Sequence, residues 1–316
     1  MEPELEGGGG WSFVVLPDTQ ILAASHPEIF TAQTRWIAEE SRAWNVQFVA
    51  HVGDVVDDNS ATQWGVAFDA LRRLDGHVPY VLAVGNHDLG PFGSAHDRST
   101  LLNDYFPLAD VVHEPWFGGA FEADRRENTF ATFETPTGPW LVLSLEFGPR
   151  SDVLAWADAV LEAHRDQPTL VVTHAYLYAD DTRYDHVTRL DQDWSPYAYG
   201  VANAPEGVND GEEMFQRLIR RHDQVELVVC GHVLHDGLGR RTSLQDGGGR
   251  VHELLANYQH RELGGAGFLR IFTVSPWGDR VHVQTYSPYL GAWRDGPDES
   301  FVLDLDRRRD EAADLD

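Results

Sequence analysis

The sequence predicts an α/β fold that finishes in antiparallel strands. From residue 11 to about residue 230, short runs rich in Val, Leu and Phe alternate with helical segments, which is the pattern of a largely parallel sheet covered by helices. These runs are almost continuously apolar, as expected for strands that are buried on both faces. After residue 250, strand-like runs follow one another with turn residues between them. This last part predicts an antiparallel sheet packed onto the α/β part.

Apolar runs bounded by polar residues supply the predicted strands of the α/β part. They include Trp11–Leu16, Val46–Val52, Tyr80–Val84, Thr169–Thr173 and Val225–Cys230. The segments between them have helical periodicity. In Pro27–Trp44, pairs of apolar residues recur at seven-residue steps, which is two helical turns. Ser60 can cap a second helix, and further helices are expected at residues 151–165 and 210–222.

The predicted C-terminal strands are Arg250–Tyr258, Gly267–Val274, Arg280–Tyr286 and Phe301–Leu305. No linker separates them from the rest of the chain, so residues 11–305 are predicted to form one domain. Residues 1–10 are acidic and glycine-rich and are expected to be a flexible leader. Residues 306–316 are expected to be a charged, disordered tail.

The composition bears on partners and on location. The formal net charge is −27, and all 24 basic residues are arginine. Nucleic acid and anionic lipid repel such a chain, because binding them needs a basic face, so we expect neither partner. The one cysteine, Cys230, excludes an intramolecular disulfide. The N-terminus lacks a signal-peptide pattern, and no apolar run approaches the ~20 residues of a membrane helix, so we expect a cytoplasmic protein.

Each of the five apolar runs ends in a polar cluster. The clusters are Pro17–Gln20, Gly53–Asp57, Gly85–Asp88, His174 and Gly231–His235. Strands of a mainly parallel sheet end on one edge, and ligands bind just outside that edge, so the sheet is expected to gather these clusters in one place. Glycines precede three of the clusters and allow the backbone to bend sharply beside a ligand.

The residue types in these clusters suit a metal site. Carboxylate, amide and imidazole groups together favour borderline divalent ions such as Mn, Fe or Zn. Cys230 ends an apolar run and is expected to be a buried structural thiol, so a thiolate zinc site is not expected. A single Asp after a strand is often a helix cap, and a single His is often structural. Five such clusters in order favour the metal site over those alternatives.

The ordered clusters resemble those of the calcineurin-like metallophosphoesterase superfamily, over nearly the whole chain from Trp11 to Leu305. The resemblance implies a β-sandwich of two mixed sheets flanked by helices, and two divalent metal ions. It makes Asp54 the carboxylate that bridges both ions and Asp18 a ligand of the first ion. The ligands that it implies for the second ion are Asn86, His174 and His232.

The resemblance also implies a mechanism. A hydroxide held between the two ions would attack phosphorus in line, and His87 would protonate the leaving oxygen, with Asp88 orienting His87. The predicted activity is hydrolysis of phosphomonoesters or phosphodiesters, with a small phosphoester or a phosphoprotein as substrate. A nuclease on the same fold is an alternative that the net charge disfavours. A non-catalytic metal-binding or interaction protein is the other alternative, which the presence of His87 and Asp88 disfavours.

Two departures from the superfamily pattern fall on the first metal ion. The usual Asp-x-His is Asp18-Thr19-Gln20 here, as in one subgroup, so the Gln20 oxygen or a water is expected to replace an imidazole. The usual Gly-His-x-His has one extra residue before His235. In an extended chain that residue shifts the imidazole by about 3.3 Å and turns it to the other face, so His235 becomes a ligand only if the loop bulges.

Two further features are candidates for substrate contact. Arg240 follows the last cluster and is suited to gripping a phosphate, although ordinary surface charge explains it equally well. A long insert, residues 175–211, directly follows His174 and is rich in Tyr and Asp. A loop of this length is commonly functional, so a lid over the site and simple surface packing are both open.

Overall fold

The computed structural model describes residues 10–305. The predicted leader, apart from Gly10, and the predicted tail lie outside the described residues. The strands are β1 (Trp11–Leu16), β2 (Val46–His51), β3 (Tyr80–Leu82), β4 (Phe117–Ala120), β5 (Thr129–Phe133), β6 (Trp140–Ser144), β7 (Thr169–Val172), β8 (Val225–Cys230), β9 (Leu238–Leu244), β10 (Arg250–Ala256), β11 (Leu269–Val274), β12 (Arg280–Ser287), β13 (Ala292–Arg294) and β14 (Ser300–Asp304). The helices are α1 (Gln20–Ser25), α2 (Pro27–Glu40), α3 (Ala61–Leu71), α4 (Leu102–Tyr105), α5 (Ser151–Ala163), α6 (Gly211–Arg217) and the single turn α7 (Glu262–Gly265).

The strands form two mixed sheets, as predicted. The first has the order β13-β12-β11-β1-β2-β3, with β14 also paired to β12, and the second has the order β4-β5-β6-β7-β8-β10-β9. In the first sheet β1, β2 and β3 are parallel, and in the second β6, β7, β8 and β10 are parallel. The remaining strands pair antiparallel at the edges.

The two sheets pack face to face through aromatic and branched side chains. Trp11 of the first sheet meets Trp140 of the second, with ring centroids 5.3 Å apart, and Phe48 stacks on Phe133 at 4.8 Å. Alternate residues on the same strands, such as Val14, point away from this interface into a second cluster formed with the helices. Each central strand is therefore buried on both faces, which explains the continuous apolar runs.

The strands after residue 250 do not form a separate sheet, which corrects the expectation from the sequence. β11 to β14 are antiparallel as predicted, but they extend the first sheet outward from β1. β10 belongs to the second sheet, where it runs parallel to β8. The carboxyl end of β10 therefore reaches the same edge as the carboxyl ends of β7 and β8.

None of the helices within residues 10–305 has the length and apolar character needed to cross a membrane.

Candidate metal centre

The polar clusters at the ends of β1, β2, β3, β7 and β8 meet in one buried site as predicted, but two sheets and not one bring them together. The backbone N–H of His232 donates to the Asp18 carboxylate at 3.0 Å, which joins the end of β8 to the end of β1. His174, at the end of β7, lies 3.2 Å from the Asp54 carboxylate at the end of β2. Asn86, after β3, contacts His174. The site therefore lies where the carboxyl edges of the two sheets come together.

Glycines let the backbones approach closely enough to build this site. Gly53 has φ +98°, in the left-handed region that glycine adopts without penalty. A Cβ on Gly85 would overlap the Asp54 carboxylate, and one on Gly231 would overlap the Asp18 carboxylate. His232 itself has φ +73°, a conformation that costs free energy in any residue with a side chain and that clusters at functional sites.

Three ligand-type atoms converge on the Nε2 of His174, which is itself a fourth. That nitrogen lies 3.2 Å from Asp54 Oδ2, 3.1 Å from Asn86 Oδ1 and 3.1 Å from His232 Nδ1. All four side chains are buried. Such a set of carboxylate, amide and imidazole groups matches the ligands predicted for the second ion.

The hydrogen bonds of the two imidazoles decide which of their nitrogens carry lone pairs. His174 Nδ1 donates to the Val52 carbonyl oxygen at 3.0 Å, and His232 Nε2 donates to the Trp194 carbonyl oxygen at 2.7 Å. In their neutral forms His174 Nε2 and His232 Nδ1 are therefore acceptors, as metal ligands must be. Burial lowers the pKa of His174, but the Asp54 carboxylate outweighs burial and raises it to about 9, so in the empty protein His174 Nε2 carries a proton. Three acceptors then face this one protonated nitrogen, and a divalent cation could take the place of the proton.

The charges of the site point in the same direction. Burial alone would raise the pKa of the Asp54 carboxyl, but His174 outweighs burial and holds it below its usual range. Burial lowers the pKa of His232 to about 3, with His174 adding to the effect, so this imidazole stays neutral and able to bind a metal. Burial raises the pKa of Asp18 to about 7, and the Asp54 charge contributes. In the empty protein the Asp54 charge is balanced by the His174 imidazolium, and Asp18 takes up a proton near neutral pH, so a bound cation would replace these protons.

The residues expected to hold the first ion are Asp18 and Gln20, and both are buried. The Asn257 amide donates to Asp18 Oδ2 at 2.8 Å, and the Gln20 amide donates to Asp57 Oδ1 at 3.2 Å. The Gln20 Oε1 is buried and has no hydrogen-bond partner among residues 10–305. Burying an amide oxygen without a partner costs about 1–3 kcal/mol. A cation at this position would remove that cost, so these residues fit a metal ion.

Family comparison agrees with the site. A model of the calcineurin-like phosphoesterase family matches residues 12–236. The chain belongs to this family. The matched segment includes Asp54, His174 and His232, three buried residues whose ligand atoms lie close enough together to hold one metal ion.

Two known proteins are similar to this calcineurin-like phosphoesterase, one in sequence and one in fold. The protein YvnB of Bacillus subtilis (strain 168) is 30% identical over 287 residues, which are 89% of this chain and 20% of that protein. The chain thus spans about a fifth of the length of that relative. The purple acid phosphatase PPD1 from yellow lupin (Lupinus luteus) seeds has a similar fold, with a TM-score of 0.53 and 15% identity. That match covers 93% of this chain and 54% of the phosphatase chain.

His87 lies at the rim of the site, but Asp88 does not orient it, which corrects the expectation. His87 Nδ1 donates to the Asp57 carbonyl oxygen at 2.7 Å and lies 3.5 Å from the Asp57 carboxylate. The buried Asp88 carboxylate instead accepts from the backbone N–H groups of Val56 and Gly85, at 3.0 and 2.9 Å. Asp88 therefore ties the loop after β2 to the loop after β3, and Asp57 holds the imidazole.

His235 and Arg240 both lie away from the converging ligand atoms. The exposed His235 donates or accepts a 2.9 Å hydrogen bond with the Tyr178 hydroxyl of the insert, so the loop does not bulge to bring it to Asp18. The Arg240 guanidinium lies over the Phe301 ring, 4.5 Å from its centroid, and 3.8 Å from the Asp298 carboxylate. In this structure Arg240 packs between strands, and its surface-charge explanation holds.

The insert at residues 175–211 forms a wall of the site. Its Trp194 carbonyl holds His232, and the rings of Tyr184 and Tyr199 lie 6.0 and 6.1 Å from the His232 ring. Arg183 anchors the insert through a 2.7 Å ion pair with Glu253, which is buried on β10. The insert is therefore packed against the metal ligands and not only against the surface.

Asn257, Asp57 and Trp194 are site residues that the sequence analysis missed. The sequence does mark Asn257, because this residue directly follows the apolar run of β10, just as the other polar clusters directly follow the apolar runs of their strands. It was missed because that run was assigned to an antiparallel sheet. Trp194 acts through its backbone carbonyl, which leaves no signal in the side-chain sequence.

Proposed function

We propose that this chain hydrolyses phosphomonoesters or phosphodiesters with two divalent ions, Mn, Fe or Zn, bound between its two sheets. The observation that supports this most is the convergence of ligand atoms from Asp54, Asn86 and His232 on His174 Nε2, each within 3.2 Å of that nitrogen. These four would hold the second ion. Asp18 and Gln20 would hold the first, with Asp54 shared between the two. When bound, such a pair of ions neutralises phosphoryl oxygens and makes a water acidic enough to act as nucleophile.

His87 is positioned to donate a proton to the leaving group. Its side chain is 34% exposed, so it reaches the open side of the site, and its Nδ1 is committed to Asp57. The other nitrogen, Nε2, remains to donate a proton. Burial lowers the pKa of His87, but the charges of Asp54 and Asp57 outweigh it and raise the pKa above its usual value. A protonated imidazole near neutral pH is what a general acid requires.

The surroundings favour a small phosphoester or a phosphoprotein segment as substrate. The wall beside His232 is aromatic, because it is formed by Tyr184, Tyr199 and Phe147. The chain also has no Lys that could contact the successive phosphates of a polyanion. The same charge argument is the basis for proposing that neither nucleic acid nor a membrane is a partner.

An activity panel tests the proposal. The full chain is stripped with a chelator, loaded with Mn, Fe or Zn, and assayed on aryl phosphate monoesters and diesters. We expect about two ions per chain and hydrolysis of at least one ester class, which a matched Asp54→Asn variant should lack. If the chain binds two ions and hydrolyses neither class, the non-catalytic alternative is supported and the proposal fails.

Duplex DNA should not bind at an ionic strength of about 0.15 M. With a net charge of −27 the protein repels DNA at long range. Any attraction between individual arginines and DNA phosphates is screened over roughly 8 Å. A gel-shift assay with a DNA-binding protein as positive control checks this. A tight complex that weakens with salt would contradict it and favour the nuclease alternative.

A further inference from the structure

The tripeptide Asn257-Tyr258-Gln259 forms a sixth polar cluster at the edge where the ligands meet. It follows β10 directly, and β10 runs parallel to β8, whose own end carries His232. The backbone N–H of Asn257 donates to the Gly237 carbonyl at 2.7 Å, which joins the cluster to the loop after β8.

A chain of hydrogen bonds connects Gln259 to the first metal site. The Asn257 side chain donates to Asp18 Oδ2 at 2.8 Å and accepts from the backbone N–H of Gln259 at 3.0 Å. The turn α7 that follows packs on α1, the helix that begins at Gln20, because a Cβ on Gly264 would lie 2.8 Å from Ile21. Gln20 and Gln259 therefore lie on neighbouring elements, each two residues beyond one partner of the hydrogen bond between Asp18 and Asn257.

The Gln259 side chain has an unused acceptor. The residue is only 6% exposed, and its Oε1 is buried with no hydrogen-bond partner among residues 10–305. The Gln20 Oε1 is in the same condition. Two buried amide oxygens without partners therefore follow the ends of β1 and β10, which are joined by the hydrogen bond between Asn257 and Asp18.

We propose that the Gln259 amide oxygen is a ligand of the first metal ion, together with Asp18, Gln20 and Asp54; this rests on the proposed function, which places an ion there. Gln259 then takes the ligand place left by His235, which bonds to Tyr178. A shell made of oxygen atoms is hard, so this site prefers Mn or Mg over Zn, whereas the two imidazoles of the second site accept Zn.

An unpartnered oxygen alone does not identify a ligand, and Gln245 shows why. Its Oε1 is also buried without a partner in the described part of the chain, and it is 5% exposed. However, its amide donates to the carbonyl oxygens of His222 and Val225, at the amino end of β8 and thus opposite the site. Gln245 is therefore a matched control for removing a buried glutamine.

Titration of the metal-free full chain with Mn²⁺, followed by calorimetry, tests the proposal. We expect a tight and a weak site in the native chain. Gln259→Leu should weaken the weak site at least about tenfold, since even partners of ligands are worth ~10–100-fold in metal affinity. It should leave the tight site unchanged, and Gln245→Leu should alter neither site. Gln259→Glu, which keeps the oxygen and adds charge, should tighten the weak site and decides the matter if the leucine variant does not fold.

The contrary outcomes are distinct. Two unchanged sites in Gln259→Leu, or no tightening in Gln259→Glu, would overturn the role of Gln259 and leave the proposed function standing. Unchanged Mn²⁺ binding with a raised KM would also overturn it and make Gln259 a substrate contact. Failure of the native chain to bind two ions would instead remove the proposed function itself.

Discussion

Replacing His232 with alanine should remove at least one divalent ion and nearly all hydrolytic activity. His232 Nδ1 is one of the three ligand-type atoms around His174 Nε2, and its other nitrogen is fixed by the Trp194 carbonyl. Loss of this imidazole leaves Asp54, Asn86 and His174 with one position of the shell empty. Metal content by elemental analysis and kcat on an aryl phosphate, both measured on the full chain, report the effect.

His235→Ala is the matched control for this variant. It removes an imidazole from the same loop, three residues further on, whose partner is the Tyr178 hydroxyl. It should keep both ions and most of the activity. Unchanged metal content and rate in His232→Ala would end the assignment of the second site. Loss of the weak ion in His235→Ala would show that the loop rearranges around the metal.

His87→Ala should keep both ions while kcat falls by about 10²–10⁴-fold, the usual contribution of a general acid. The expected loss follows from the position of the side chain, which is held by Asp57 through Nδ1 and leaves Nε2 toward the open side of the site. Because good leaving groups need little protonation, the loss should shrink along a series of aryl phosphates with increasingly acidic phenols. Single-turnover rates across that series measure it.

His96→Ala controls for removing an imidazole from the same loop region, since His96 is exposed. It should leave both kcat and metal content unchanged. An equal loss in His87→Ala for all leaving groups would argue against proton donation and assign His87 to binding of the phosphoryl group.

The positions of the candidate metal ligands were predictable because they depend on local patterns. Apolar runs mark the strands, and Asp18, Asp54, Asn86, His174 and His232 each follow such a run. Neighbouring parallel strands end on one edge, which gathers Asp18, Asp54 and Asn86 at one sheet and His174 and His232 at the other, and the packing of the two sheets brings the two edges together. The same rule would have found Asn257 if β10 had been recognised as a parallel strand.

The sequence by itself thus determined the α/β class, the family and the identity of most candidate ligands, because periodicity, turn residues and strand ends are properties of short segments. Only the tertiary structure decided how those residues are held. The His174 imidazole is held by a hydrogen bond to the Val52 carbonyl, 122 residues away, and the His87 imidazole by one to the Asp57 carbonyl. The Asp18 carboxylate accepts a hydrogen bond from the Asn257 amide, 239 residues away. A hydrogen bond forms only between atoms that folding brings within about 3 Å of each other. The pattern of residues next to each partner in the sequence does not predict which atoms these are.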